Sequence, residues 1–238
     1  MATLFISDLH LEASRPQITA IFLRFLQNEA KRADALYILG DLFESWIGDD
    51  DDTELALAVQ GALRELTDSG VPVYFMHGNR DFLIGDAFAQ RTGVHLLPDP
   101  SVIDLYGRRV LLMHGDTLCT DDVAYQAFRQ QVREPAWQQS FLAQPLAERR
   151  AFAEHAREQS RIHTSAARMD IMDVSPVAVE QAFLDHDVEV LIHGHTHRPA
   201  VHGSTHDDVV RTRYVLADWR DRGERLQAAF SDFNAESF

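Results

Sequence analysis

Five short clusters of metal-ligating residue types run along the chain, and each follows, or nearly follows, an apolar stretch. In order they are Asp8-Leu9-His10, Gly40-Asp41, Gly78-Asn79-Arg80-Asp81, His114-Gly115-Asp116 and Gly194-His195-Thr196-His197. One such cluster says little, since a lone Asp-x-His is more often a turn or a cap. Five in this order describe strand ends converging on one site, because open α/β sheets gather ligands beyond the carboxyl ends of their strands.

The apolar stretches read as short strands at 4–6, 35–39, 73–76, 109–113, 188–192 and 214–216. Those that are almost wholly apolar point to strands covered on both faces. Helical spacing appears between several of them. Ile18, Ile21, Phe22, Phe25 and Leu26 mark a helix over 18–33, and Leu55, Val59, Ala62, Leu63 and Leu66 mark one over 53–69, with Gly70 as its stop signal. Alternating strands and helices predict an α/β fold. The pattern changes across 121–170, which has no convincing strand. It predicts two or more helices, near 122–132 and 147–167, with breaks at Pro135 and Pro145. With seven arginines against seven acids, this stretch is near neutral while the rest carries the negative excess. It reads as a helical cap inserted into one domain spanning 1–238.

The whole chain has a formal charge of −15, and Lys31 is its only lysine. Two divalent cations would leave it acidic, which argues against sequence-independent nucleic-acid binding. Cys119 is the only cysteine, so no intrachain disulfide can form. The N-terminal run at 3–6 lacks a basic segment ahead of an apolar one, and no apolar stretch approaches the roughly 18 residues of a membrane span. A cytoplasmic protein, peripheral to a membrane at most, is expected, with no protein partner evident.

Aspartate, histidine and asparagine without a thiolate make a hard-to-borderline metal site, suited to Mn, Fe or Zn. A carboxylate can bridge two cations, and Asp41 is the best placed to do so. Two cations held together in this way activate a water and orient a phosphoryl oxygen, so no covalent protein nucleophile is needed.

The clusters resemble the calcineurin-like metallophosphoesterase superfamily, whose pattern is D-x-H, G-D, G-N-x-D, H and G-H-x-H. The resemblance covers positions 8 to 197. It implies a sandwich of two β-sheets flanked by helices. It also implies one metal on Asp8, His10, Asp41 and His197, and a second on Asp41, Asn79, His114 and His195. One departure stands out. Many members carry a histidine after the asparagine, viewed as protonating the leaving oxygen, whereas this chain has Arg80. Arginine is a poor general acid, but its fork suits a phosphate. A phosphate leaving group needs no proton, so Arg80 points to P–O–P cleavage, with the guanidinium stabilising charge on the transferring group.

Longer strings sharpen the resemblance: Ile6-Ser7-Asp8-Leu9-His10-Leu11, the run from Gly40 to Asp50, the run from His77 to Gly85, the run from Met113 to Asp122, and His193 to Pro199. They are similar to the UDP-2,3-diacylglucosamine diphosphatase family of lipid A biosynthesis. That resemblance implies a lipid-linked nucleotide substrate, water attack on its α-phosphate, manganese, and work at the cytoplasmic face of the inner membrane. Catalytic roles carry over to Arg80, Asp41 and His195, and substrate contacts to Asn79, Arg80, Asp122, Ser160, Thr164 and His195. The family commonly has a lysine near Ala167; here the nearby cations are Arg161 and Arg168. From the residues themselves, Arg157, Ser160, Arg161 and Thr164 share one helical face, open equally to a sugar phosphate or to solvent. Trp46, Ile47, Phe82, Leu83 and Ile84, with Tyr125, Phe128, Phe141 and Phe152 across from them, are the expected lining of an acyl cleft; ordinary packing is the alternative for each. A nucleotide or phosphoprotein phosphatase on the same fold is the second enzyme reading, and a metal-free interaction module is the non-enzymatic one.

Overall fold

In a computed structural model, residues 2–166, 173–206, 208–229 and 232–238 are described, with side chains described at all of these but 160–166, 206 and 232. In chain order the elements begin β1 (Thr3–Ile6), α1 (Pro16–Asn28), β2 (Ala35–Leu39), α2 (Glu54–Asp68), β3 (Val73–Met76), α3 (Asp86–Thr92), β4 (His95–Leu97), β5 (Ser101–Leu105) and β6 (Arg108–Leu112). They continue with α4 (Val123–Arg133), α5 (Pro135–Leu142), α6 (Leu146–Ala166), α7 (Pro176–His186), β7 (Val190–His193), β8 (Ala200–His206), β9 (Val209–Val215), β10 (Glu224–Ala229) and β11 (Asp232–Ser237).

Among the described residues the strands form two mixed sheets, ordered β11-β10-β1-β2-β3-β4 and β5-β6-β7-β9-β8. Side chains alternate across each strand, and the alternation sorts the core into layers. Phe5, Leu39 and Met76 from the first sheet meet Val110, Leu112, Val190 and Ile192 from the second. Their neighbours Leu4, Ile6, Leu36, Ile38 and Phe75 face outward onto Ile18, Phe22, Val59 and Leu63 of α1 and α2. Leu111 and Leu191 face outward on the second sheet and pack with Phe183 of α7. The result is helix, sheet, sheet, helix. It explains why these strands carry apolar residues on both sides: both faces of each are covered.

The expected α/β sandwich of two sheets flanked by helices is therefore the observed architecture. Boundaries differ in places. The helix read over 18–33 stops at Asn28 and resumes as a 3₁₀ turn, Ala30–Arg32. The strand read at 214–216 runs Val209–Val215, because its N-terminal half, Val209-Val210-Arg211-Thr212, pairs with β8 at a sheet edge and lacks a continuous apolar signal. The short β4 and the polar β10 and β11 gave no such signal either. Pro135 begins a helix rather than ending one, since its fixed φ and missing N–H suit the first helical position.

β1, β2, β3 and β4 are parallel, as are β6, β7 and β9. The carboxyl ends of β1, β2, β3, β6 and β7 consequently carry the five clusters. Backbone bonds stitch the loops beyond them, from Asp8 N to Gly40 O (3.1 Å), His10 N to Asp41 O (3.0 Å) and Gly194 N to His114 O (2.8 Å).

Candidate metal centre

The clusters meet as a set of acceptors. Asp8, His10 and His197 bring ligand atoms within 4.8 Å of one another, and so do Asp8, Asp41 and His114. The two Asp41 oxygens divide between the groups: Oδ2 lies 3.8 Å from His10 Nε2, and Oδ1 lies 3.8 Å from His114 Nε2. His10 and His197 approach at 3.1 Å between their Nε2 atoms. Asn79 Oδ1 lies 3.0 Å from both His114 Nε2 and His195 Nδ1.

Backbone conformation aims these groups. Asp8, His10, Asp41, His195 and His197 all have φ between +49° and +69°. Left-handed backbone at non-glycine residues costs about 1–3 kcal/mol each and persists where surroundings over-determine it. Here the surroundings are specific. Asp8 Oδ2 accepts from Ser7 Oγ (2.6 Å) and His195 N (2.9 Å). Asp41 Oδ1 accepts from Arg80 N (2.8 Å). Gly40 at φ +87° and Gly78 let two strand ends approach: a Cβ on Gly40 would lie 2.6 Å from Gly78 Cα. Asp81 is fully buried and accepts from Gly78 N (2.9 Å) and Leu42 N (2.7 Å), fixing the Asp41 loop to the Asn79 loop.

The donor set fits a cation. Asp8 Oδ1 is buried without a hydrogen bond. His114 Nδ1 donates to Leu39 O at 2.8 Å, so in the neutral ring Nε2 is a bare lone pair facing Asn79 Oδ1 and the Asp41 carboxylate. Acceptors facing acceptors require a proton or a metal between them. Titration tells the same story. Burial pushes the His114 ring down, yet the charges of Asp41, Asp116 and Asp8 outweigh it and lift it to about 9. Burial pushes the Asp8 carboxyl up, but the close His197 ring and the charges of His114 and His10 hold it well below its ordinary range. His195 is depressed to about 4 by burial and then by His114, so its ring is neutral. A field that keeps a proton on a buried histidine is equally a field for a cation.

A second ring of residues supports the first, a role that sequence did not assign to Glu44, Asp116, Arg129 or Arg133; Tyr125, expected in an acyl cleft, belongs to it. Glu44 Oε2 stands 2.9 Å from His10 Nδ1, while its Oε1 lies 4.0 Å from Arg80 Nη1 and 3.8 Å from Arg157 Nε. Asp116 is buried and accepts from Tyr125 Oη (2.5 Å) and Arg129 Nε (2.7 Å); Arg133 Nη2 donates to Gly78 O (2.8 Å). Tyr125, Arg129 and Arg133 are spaced by four along α4, and that stripe was the available signal. His193 accepts from Arg213 Nη1 (3.1 Å) and donates through Nδ1 to Gly194 O (2.9 Å).

Other sequence expectations fare differently. Asp122 caps α4, accepting from Tyr125 N at 3.0 Å. The side chains of Ser160, Arg161 and Thr164, and residues Ala167 and Arg168, lie outside the described residues. The expected acyl lining needs correction. Trp46, Ile47, Leu83 and Ile84 are core residues, 2–7% exposed, with Trp46 packed on Phe43 and Phe88. Their loops are apolar because they plug the end of the sandwich. Phe141 is buried as well, whereas Phe128 and Phe152 remain 42% and 41% exposed.

Fold and site define a metallophosphoesterase: the calcineurin-like phosphoesterase family profile matches residues 1–199, and the chain belongs to that family. Its relatives include one from Stenotrophomonas maltophilia (strain R551-3), named UDP-2,3-diacylglucosamine hydrolase. It is 56% identical over 234 residues, covering 95% of this chain and 94% of the relative. A relative of the same name from Xanthomonas oryzae pv. oryzae (strain PXO99A) is 54% identical over 245 residues, covering 100% and 99%.

Proposed function

We propose that this chain hydrolyses UDP-2,3-diacylglucosamine to UMP and 2,3-diacylglucosamine 1-phosphate in lipid A biosynthesis. The convergence of acceptors around Asp8 Oδ1, Asp41 and Asn79 Oδ1 carries the chemistry; the relatives' shared name carries the substrate. One water is consumed. Its oxygen joins the UMP phosphorus, and the bond from that phosphorus to the bridging oxygen breaks. The bridging oxygen leaves with the lipid phosphate.

Asp8, His10, Asp41 and His197 would hold one divalent cation, and Asp41, Asn79, His114 and His195 the other, with manganese as the metal. Such a pair supplies an activated water and offsets charge on a phosphoryl oxygen. Asp41 sets the geometry, because its two oxygens face the two histidine groups. Neutral His195 and the Asn79 amide orient a phosphoryl oxygen. Arg80 stabilises the charge that develops there and needs no proton to give, since a phosphate leaves unaided. Its position is supported by its own N–H on Asp41 and by Glu44 near its guanidinium.

Residues 121–170 act as a cap on the single domain 1–238, and Asp122, Ser160 and Thr164 contact the glucosamine phosphate. Val123, Phe128, Leu142 and Phe152 expose apolar surface on α4 to α6, which supports acyl binding and peripheral contact with the cytoplasmic face of the inner membrane. No helix among the described residues is long and apolar enough to cross a membrane. Purified chain supplied with manganese should release UMP and lipid phosphate in equal amounts. Metal-loaded chain that cleaves simple phosphodiesters but not this lipid would replace the reading with a general phosphoesterase.

A further inference from the structure

A cavity of about 260 Å³ opens beside the metal centre, with Asp173, Thr196, Arg198, Ala200, His202 and Arg213 among its walls. Thr196 lies between the two ligand histidines His195 and His197, so the cavity and the site share a backbone. Among the described residues, none of its lining comes from α4, α5 or α6. It is built on the second sheet, where β8 and β9 pair His202 with Arg213.

Its charge is opposite to that of the chain. Against a net −15, the described residues of its walls bring two arginines, a histidine and one carboxylate, Asp173. Asp173 is engaged by Arg198, at 2.5 Å. Arg213 is half-buried and gives Nη1 to the neutral His193 ring; among the described residues no carboxylate pairs with it. Two guanidiniums against the one described carboxylate leave these walls with a positive excess, which suits an anion. The size is informative too. The volume falls below the roughly 300–1,000 Å³ of pockets for whole drug-sized ligands, so it has room for one polar moiety but not for two acyl chains. Arginine and histidine planes also offer faces on which a base can stack.

We infer that this cavity is the subsite for the nucleoside monophosphate half of the substrate, with Arg213 and Arg198 as its anion-binding residues and His202 at its rim. The inference rests on the diphosphate reading above, and it divides the substrate. The nucleotide sits on the sheet side beside Thr196, and the lipid half sits with α4 to α6. UMP, the product that carries the attacked phosphorus, is then held by the same wall after cleavage.

The test is calorimetric titration of UMP and, separately, of inorganic phosphate into the full-length manganese-loaded chain. Arg213→Gln removes the charge while keeping an amide for His193, and Ala200→Trp fills the cavity without touching a charge. Arg213→Gln should weaken UMP and phosphate alike, about tenfold or more, the scale of one lost charge-assisted contact, whereas Ala200→Trp should weaken UMP by as much and leave phosphate within about twofold. Either variant binding UMP like the wild type, with fold and metal content retained, would overturn the subsite. So would equal weakening of UMP and phosphate by Ala200→Trp, which would make the cavity a mere support of the metal centre. The titration contains no UDP-2,3-diacylglucosamine. A chain that binds UMP as expected but leaves that lipid intact would therefore remove the diphosphate reading and keep the nucleotide site.

Discussion

Gly78→Ala is the most discriminating single change. Gly78 lies in the loop after β3, just before Asn79 and Arg80, and it packs against Asp41. A Cβ there would lie 2.3 Å from Asp41 N and 2.1 Å from Asp41 Oδ1. Real Cβ contacts essentially never fall below 3.0 Å, so the Asp41 backbone must retreat by at least 0.7 Å, the difference between 3.0 and 2.3 Å. Asp41 N is not the end of a flexible side chain; it is tied through the loop to Asp81. Misplacing a catalytic group by about 1 Å costs on the order of 100-fold. Gly78→Ala should therefore lower kcat/KM by roughly 10- to 100-fold, with about 1–3 kcal/mol of overpacking strain in a denaturant titration. The control is Gly61→Ala in the exposed face of α2, where an added Cβ meets nothing within 4 Å. That change should leave turnover alone and stabilise the chain by about 0.4–1 kcal/mol. Wild-type turnover and metal content in Gly78→Ala would refute the claim that the Asp41 position governs the chemistry.

Asp41→Ala should abolish turnover and release at least one metal, as read by elemental analysis; full activity would sink the two-metal mechanism. Arg80→Ala should lower turnover with both metals retained, and unchanged kinetics would remove Arg80 from the mechanism. Arg149 is 3% exposed and donates to Ile47 O (2.7 Å) and Gln144 O (2.9 Å), pinning α6 to the loop after Trp46. Hydrogen bonds from a charged donor contribute about 1.5–3 kcal/mol each, so losing these two in Arg149→Met should cost about 3–6 kcal/mol. That corresponds to a fall in Tm of roughly 6–24 °C for a chain of this size; a Tm within about 2 °C of wild type would contradict it.

The ligand set was legible because it sits where the hydrophobic pattern changes abruptly, at the ends of strands covered on both faces. Asp8, Asp41, Asn79, His114 and His195 each follow such a run. The layering was legible from the same runs, since strands sandwiched between sheet and helix carry apolar residues on both faces. What sequence withheld was the partner of each polar residue. Glu44 looks like an ordinary surface acid, and Asp81 and Asp116 like members of the ligand clusters, until the loops fold back and set them against His10, the Asp41 loop and Arg129. The apolar loop residues misled for the converse reason. Trp46, Leu83 and Ile84 stand beside ligands in the sequence, yet they seal the core, and adjacency in sequence does not say which way a side chain points. Arg213 lies in an edge-pairing strand with no motif around it, and only its register opposite His202 brings it to the cavity.

The central claim is that water attacks the α-phosphate of UDP-2,3-diacylglucosamine at this centre. Turnover in ¹⁸O-water with manganese, followed by mass spectrometry of both products, tests it most directly. The account predicts one labelled oxygen in UMP and none in the lipid phosphate. Label in 2,3-diacylglucosamine 1-phosphate would contradict it.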